Sequence, residues 1–436
     1  MGKRLFIFLL CVVFLCDSKV RAAGLMGALS PLDPSSYSRP ELAILKHISL
    51  SFDVDFENKV LYGDATLTFD VLANIDDLPL DISKLKIESI QNDGDPDTEL
   101  QYTLGEHIPD VGSKLNILLP KQVSQGEKLK IRIKYSTDPS ASALTWLDVP
   151  QTAGKKHPYV FSQSSPIHAR SILPCQDTPA VKFTYDAEVT APEEFTVLMS
   201  ALRGEVKNNK SRFNQPVPLP SNLFALAVGV LDSRTVGPRS KVWSEKEDVD
   251  RIAYEFAETE TYLQAAQKTC GSYDWTEYDL LVLPPSFPHG AMENPCITFV
   301  SPTIVVGDRS LSSTIIHEIM HSWTGNAVSI KNFEHFWLKE GFTVFLERKV
   351  SASFINDTAE AKRRRDFHSL LGLQQLTIGV DTLGASNPLT KLRLNLDGVH
   401  PDEAFSIIPY EKGSLFLRYL EDLFGGPDTT QQIQLQ

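Results

Sequence analysis

The stretch HEIMHSWTGNAVSIKNFEHFWLKEG, His317 to Gly341, decides how this chain is read. His317 and His321 stand four residues apart, and on a helix that spacing puts both imidazoles on one face, one turn apart. Ser310, Ser312 or Ser313 can cap such a helix. Ile315, Ile316, Ile319 and Met320 supply the apolar side that seats it in a core. Two imidazoles so placed suit Zn²⁺, which at a catalytic site takes three protein ligands and keeps a fourth position open. A third ligand is expected from a neighbouring helix. Glu340, after eighteen intervening residues, lies amid Phe336, Trp337, Leu338 and Phe342. A carboxylate in that company is costly to bury without a partner, and a metal ion is such a partner. Glu318 follows the first histidine directly, so it reaches a water at the metal rather than the metal itself, which is where a general base belongs.

Around this stretch the chain has 436 residues, 42% hydrophobic and 22% charged, an ordinary globular composition sufficient for two or three domains. A net charge of −13 argues against nucleic acid, which asks for a basic face. The first residues, MGKRLFIFLLCVVFLCDSKVRAAG, combine basic Lys3 and Arg4, an apolar run from Leu5 to Cys16, and small Ala22 and Ala23. That is a signal-peptide layout, and its apolar run is too short for a stable membrane span. Cleavage after Ala22 is expected, which makes the protein secreted or resident in the secretory lumen; translation from Met26 would leave it cytoplasmic. Cys175, Cys270 and Cys296 then remain, enough for one bridge at most. Asn209-Lys210-Ser211 and Asn356-Asp357-Thr358 are glycosylation sequons if the chain is exported.

The remaining pattern predicts a mixed α and β, multidomain fold. In HISLSFDVDF, Ile48, Leu50, Phe52, Val54 and Phe56 alternate with polar neighbours, the period of a half-buried strand. Ala65 to Val71 and Leu129 to Ile133 repeat the alternation, and strands are also expected at 187–189 and 224–230. An antiparallel β domain over 23–236 follows. From about Glu245 the period becomes helical: Val249, Ile252, Ala253, Phe256, Leu263 and Ala266 share one face. Helices are predicted at 311–323, 338–352, 359–371 and 411–423, within a mostly helical catalytic domain over 237–424. A polar tail, 425–436, shows no core pattern.

With HEIMH, WLKEG and the upstream GAMENP (Gly290 to Pro295), the chain resembles the zinc aminopeptidases of the thermolysin-like clan. LLVLPPSFPHGAMENPCITFVSPT, HSWTGN, ILPCQDTP and PYEKG bring it nearest the leukotriene A(4) hydrolase and aminopeptidase B group, over residues 30 to 427. The resemblance implies a thermolysin-like catalytic domain with one Zn²⁺ on His317, His321 and Glu340, and Glu318 as the base. It implies that short peptides with a free N-terminus are the substrates and that Glu293 grips their α-amine, a charge-assisted contact. Tyr410 matches an oxyanion-stabilising tyrosine, and Asp402 an acid that delivers water to a lipid epoxide in a bifunctional relative. By the residues alone, Glu293 reads as an acidic turn, Tyr410 as a packing residue and Asp402 as a capping carboxylate. The substrate pocket is expected from Gln163, Ser164, Ser165, Pro288, His289, Gly290, Ala291, Met292, Glu293 and Asp402. Ser165 departs from the family's glutamine, and Phe405 and His289 depart from its pocket wall.

Three readings follow: an aminopeptidase, an epoxide hydrolase on a leukotriene-type lipid at the same zinc, and a catalytically silent zinc-binding protein. The last arises because the sequence stops at Gln436, where the family continues into a helical C-terminal domain that is absent here; a truncated product is expected. Leu415, Phe416, Tyr419, Leu420 and Phe424 would then leave an exposed face through which the chain associates with itself or a partner.

Overall fold

The computed structural model describes residues 28–426, so the expected leader and the tail from 427 to 436 lie outside the described residues. The alternating run becomes the strand Ala43–Asp55, with Ile48, Leu50 and Phe52 turned into the core. It occupies the middle of an eight-stranded sheet in the order Leu202–Lys207, Lys210–Pro220, Lys182–Thr190, Ala43–Asp55, Val60–Val71, Lys128–Ser136, Lys86–Asn92 and Asp95–Glu99. One pair departs from the antiparallel expectation: Ala43–Asp55 runs parallel to Lys182–Thr190, with Ile48 opposite Tyr185. The 126 residues between those strands pass through a three-stranded and a four-stranded sheet. That supplies the long crossover a parallel pair requires. The three sheets share one core, which includes Phe52, Phe69, Phe161, Phe183 and Phe224.

A fourth, five-stranded sheet follows in the order Leu231–Gly237, Ser240–Glu245, Tyr278–Val282, Cys296–Val300 and Ala291–Met292. Sheet membership therefore changes just before Leu231, a few residues ahead of Gly237. Six α-helices are described: α1 (Val249–Glu255), α2 (Thr259–Cys270), α3 (Ser312–His321), α4 (Phe336–Ala352), α5 (Thr358–Leu383) and α6 (Ile407–Leu423). The apolar sides of α2 and α3 join this sheet in a second core through Leu263, Ala266, Ile315, Ile316, Ile319 and Met320.

Three helices run beyond their predicted bounds, α4 by the two residues Phe336 and Trp337 and the other two by more. α5 continues past Leu371 to Leu383, because Gly372 and Gly379 sit against α6 instead of breaking the helix; a Cβ on Gly372 would fall 2.0 Å from Glu411, and one on Gly379 2.4 Å from Ile407. α6 starts at Ile407, since Pro409 lies in the first turn, where the missing N–H has no intrahelical partner. The Ser406 hydroxyl caps it by accepting from the Ile408 N–H.

α4 and α6 cross at a pair of glycines. A Cβ on Gly341 would stand 2.7 Å from the Gly413 Cα, and one on Gly413 2.8 Å from the Gly341 Cα. This backbone contact fixes Tyr410, one turn before Gly413, relative to Glu340, the residue before Gly341. Cys175, Cys270 and Cys296 are all free thiols. Among the described residues no helix is long and apolar enough to cross a membrane.

Candidate metal centre

α3 buries its isoleucines against the sheet and turns His317, Glu318 and His321 toward α4. The two Nε2 atoms are 3.1 Å apart, and Glu340 Oε2 lies 3.5 Å from His317 Nε2 and 3.3 Å from His321 Nε2. Glu340 is 2% exposed, and its Oε2 has no hydrogen-bond partner.

The far side of each imidazole explains that orphaned oxygen. His317 Nδ1 lies 3.0 Å from Glu347 Oε2. His321 Nδ1 lies 2.9 Å from the Thr324 carbonyl and 3.1 Å from the Thr343 hydroxyl. Acceptors at Nδ1 hold the proton there and leave a lone pair on each Nε2. Three lone pairs then meet in one buried spot, an arrangement that calls for a cation. Without a metal a proton fills the need: burial opposes it, yet Glu340 and Glu347 outweigh burial and hold the basicity of His317 well above the imidazole range. A zinc ion satisfies all three atoms at once, so the donor set fits the metal.

Glu318 is buried beside this group. A ligand atom from each of Glu293, Glu318 and His321 lies within 4.8 Å of the others. Burial, with Glu293 and Glu340 nearby, pushes the Glu318 carboxyl up to about 7 against the pull of the two imidazoles. The Tyr410 ring lies nearly parallel to His317 at 6.2 Å and edge-on to Phe336 at 6.0 Å. Burial first, then the charges of Glu340, Glu293 and Glu318, hold its phenol well above the ordinary range, so it stays protonated.

Glu293 follows the edge strand Ala291–Met292, and its backbone carbonyl accepts from Asn326 Nδ2 at 2.8 Å. Gln163 joins it, with Nε2 3.6 Å from Met292 Sδ. Ser164 donates its hydroxyl to the Phe224 carbonyl at 2.6 Å, whereas the buried Ser165 hydroxyl has no partner. Pro288 and Gly290 are exposed at the rim, and His289 sits between Phe287 and Phe405. Asp402 belongs to a different group: His168 Nε2 and His400 Nδ1 each lie 3.3 Å from its Oδ2. Burial opposes ionisation there, but these histidines hold the carboxyl far below the usual range.

Four residues of the site were not singled out by the sequence reading: Thr324, Lys339, Thr343 and Glu347. Glu347 carried a signal, since it stands seven residues after Glu340 and so shares its helical face. Lys339 is 7% exposed, and its Nζ lies 2.7 Å from Glu293 Oε1 and 2.8 Å from Glu340 Oε1. Burial opposes ionisation of both carboxyls, yet Lys339 and then His321 hold Glu293 below, and Glu340 well below, the ordinary range.

Residues 34–223 match the peptidase M1 N-terminal domain and residues 254–435 the peptidase family M1 domain. The chain is 48% identical over 404 residues to leukotriene A-4 hydrolase of Xenopus laevis, a match that covers 91% of this chain and 65% of that protein. It is 42% identical over 400 residues to leucine aminopeptidase 2 of Yarrowia lipolytica, covering 90% and 60%. A solved structure of yeast LTA4 hydrolase in complex with bestatin superposes with a TM-score of 0.84 at 36% identity, over 90% of this chain and 61% of that one. The chain belongs to peptidase family M1. It spans about 60–65% of the length of these curated relatives.

Proposed function

We propose that this chain acts as a zinc-dependent aminopeptidase that removes the N-terminal residue of short peptides. The observation that carries the reading is the convergence of two imidazole lone pairs and an orphaned carboxylate oxygen beside a buried carboxyl poised near neutral pH. When bound, zinc supplies Lewis acidity toward the peptide carbonyl. Glu318 takes the proton of the attacking water and passes it to the leaving amine. Tyr410, kept protonated, donates its O–H to the oxygen that gains charge. Ala291–Met292 is an edge strand beside these groups, so its backbone is placed to pair with an extended peptide. Glu293, with Gln163 alongside, closes the end where the substrate's amine would lie.

The test pairs metal content with turnover. His317→Ala or His321→Ala should lose most of the zinc. Glu318→Gln should keep one Zn²⁺ per chain and lose aminoacyl-amide turnover by about 10²–10⁴, the worth of a general base. A folded Glu318→Gln protein without zinc would overturn this division of roles.

A second reading rests on Asp402, held ionised by His168 and His400 near the His289–Phe405 wall. In it the same centre opens a fatty-acid epoxide, and such a lipid should inhibit peptide turnover competitively. Two further proposals concern location and partners. Export through the leader should deliver Asn209 and Asn356, both exposed, to glycosylation, read as a glycosidase-sensitive mass shift. The exposed Phe367, Leu370 and Ile378 of α5, with Phe416, Tyr419 and Leu423 of α6, should drive self-association, read by sedimentation.

A further inference from the structure

Lys339 stands where the proposed function needs an empty carboxylate. Its Nζ donates to Glu340 Oε1 at 2.8 Å and lies 2.7 Å from Glu293 Oε1, out of line for a hydrogen bond there but in direct ionic contact. The stem is held as firmly as the head. Gly325 leaves room for it: a Cβ at that position would stand 3.1 Å from Lys339 Cγ and 3.2 Å from Cε. The Phe336 ring covers the ammonium from 5.3 Å. This is a built pocket with a resident cation.

We infer that Lys339 is a specificity-determining residue, an internal ammonium that already occupies Glu293, the carboxylate proposed to receive the substrate's α-amine. The inference rests on that reading of Glu293 and deepens it. A carboxylate attracts a second ammonium weakly when one sits beside it, because the incoming charge gains one partner and is repelled by the other. A free N-terminus should therefore gain little over a blocked one, and the site accepts peptides with neutral or modified N-termini nearly as well as free ones. The lysine couples the two halves of the site as well, since Glu340 and Glu293 share its charge.

Calorimetric titration of L-leucinol and N-acetyl-L-leucinol tests this on the zinc-loaded full chain. Leucinol carries the α-ammonium and has no bond to hydrolyse, so binding is read apart from turnover. In the wild type the two ligands should bind within about tenfold of each other. Lys339→Met should tighten leucinol about tenfold to a hundredfold, the span of one charge-assisted contact, and leave the acetylated ligand unchanged. Adding Glu293→Gln to that variant should erase the gain. Lys339→Gln keeps an N–H for Glu340 without the charge and serves if the methionine variant does not fold. A wild type that prefers leucinol by more than a hundredfold overturns the inference whether or not either variant folds. A folded Lys339→Gln chain with unchanged leucinol affinity overturns it too. If the inference fails while the wild type still cleaves aminoacyl-amides, the aminopeptidase reading stands; if a folded, zinc-loaded chain cleaves none, that reading falls on its own.

Discussion

Glu347 offers the sharpest test of the candidate metal centre, because it touches no proposed reactant and its contact with the candidate ligands is through His317. Its Oε2 lies 3.0 Å from His317 Nδ1 and fixes which ring nitrogen carries the proton. Removing an acceptor behind a metal-binding histidine costs about tenfold to a hundredfold in metal affinity, or about 1.4–2.7 kcal/mol. Glu347 is 19% exposed, so water can replace the lost oxygen in Glu347→Ala, and the lower end, about tenfold, is expected. Glu347→Gln keeps an oxygen in place and loses the charge. Charge-assisted hydrogen bonds are about twice as strong as neutral ones, so the amide should retain half the free energy and weaken zinc only about threefold. The assay is competition with a chelator of known affinity at fixed pH, with zinc read in the protein fraction. Wild-type zinc affinity in Glu347→Ala, or a glutamine variant worse than the alanine one, would refute the assigned role.

Gly413→Ala should destabilise the fold by about 1–3 kcal/mol, the usual cost of overpacking, since its Cβ would meet the Gly341 Cα at 2.8 Å and the Trp337 carbonyl at 3.2 Å. Thermal melts give the stability, and turnover should fall further than zinc content because Tyr410 rides on the same turn. Zinc affinity should weaken as pH drops, and from a higher pH than an ordinary histidine would set: Glu340 and Glu347 raise the proton affinity of metal-free His317 above 6.5, so metal and proton compete there. The proton on His317 stabilises the metal-free fold at low pH, and that contribution is lost as pH rises through the raised value. Zinc affinity that stays flat from pH 8 to 6 would contradict this.

The parts of the fold that were legible in the sequence are those set by local periodicity. The alternation of Ile48, Leu50 and Phe52 shows a strand, and the spacing of His317 and His321 shows one helical face. The parts that were not legible depend on what lies across the chain. The pairing of Ala43–Asp55 with Lys182–Thr190 is decided by a long crossover and has no local mark. Gly372, Thr377, Ile378 and Gly379 lower helix propensity after Leu371, yet packing on α6 overrides it, because the glycines are the points of closest approach.

α4 shows why a candidate ligand set can be picked out from a sequence while its surroundings cannot. From Lys339 to Glu347 it carries the ion pair to Glu293, the orphaned ligand oxygen, the crossing glycine, the hydroxyl behind His321 and the carboxylate behind His317. Four of those five residues are polar, and Lys339, Glu340 and Thr343 are buried, so the helix hides charge where amphipathic reasoning expects apolar side chains. Such a helix folds only because each polar group meets a partner from elsewhere: Glu293 from the sheet edge, His317 and His321 from α3. The partners lie 19 to 46 positions away along the sequence, which is why Lys339 reads as one more polar residue before Glu340 until the chain is folded. Lys339 touches the candidate ligand Glu340 and Glu293 at once, so zinc-loaded Lys339→Met should differ from the wild type in amine recognition at equal zinc occupancy.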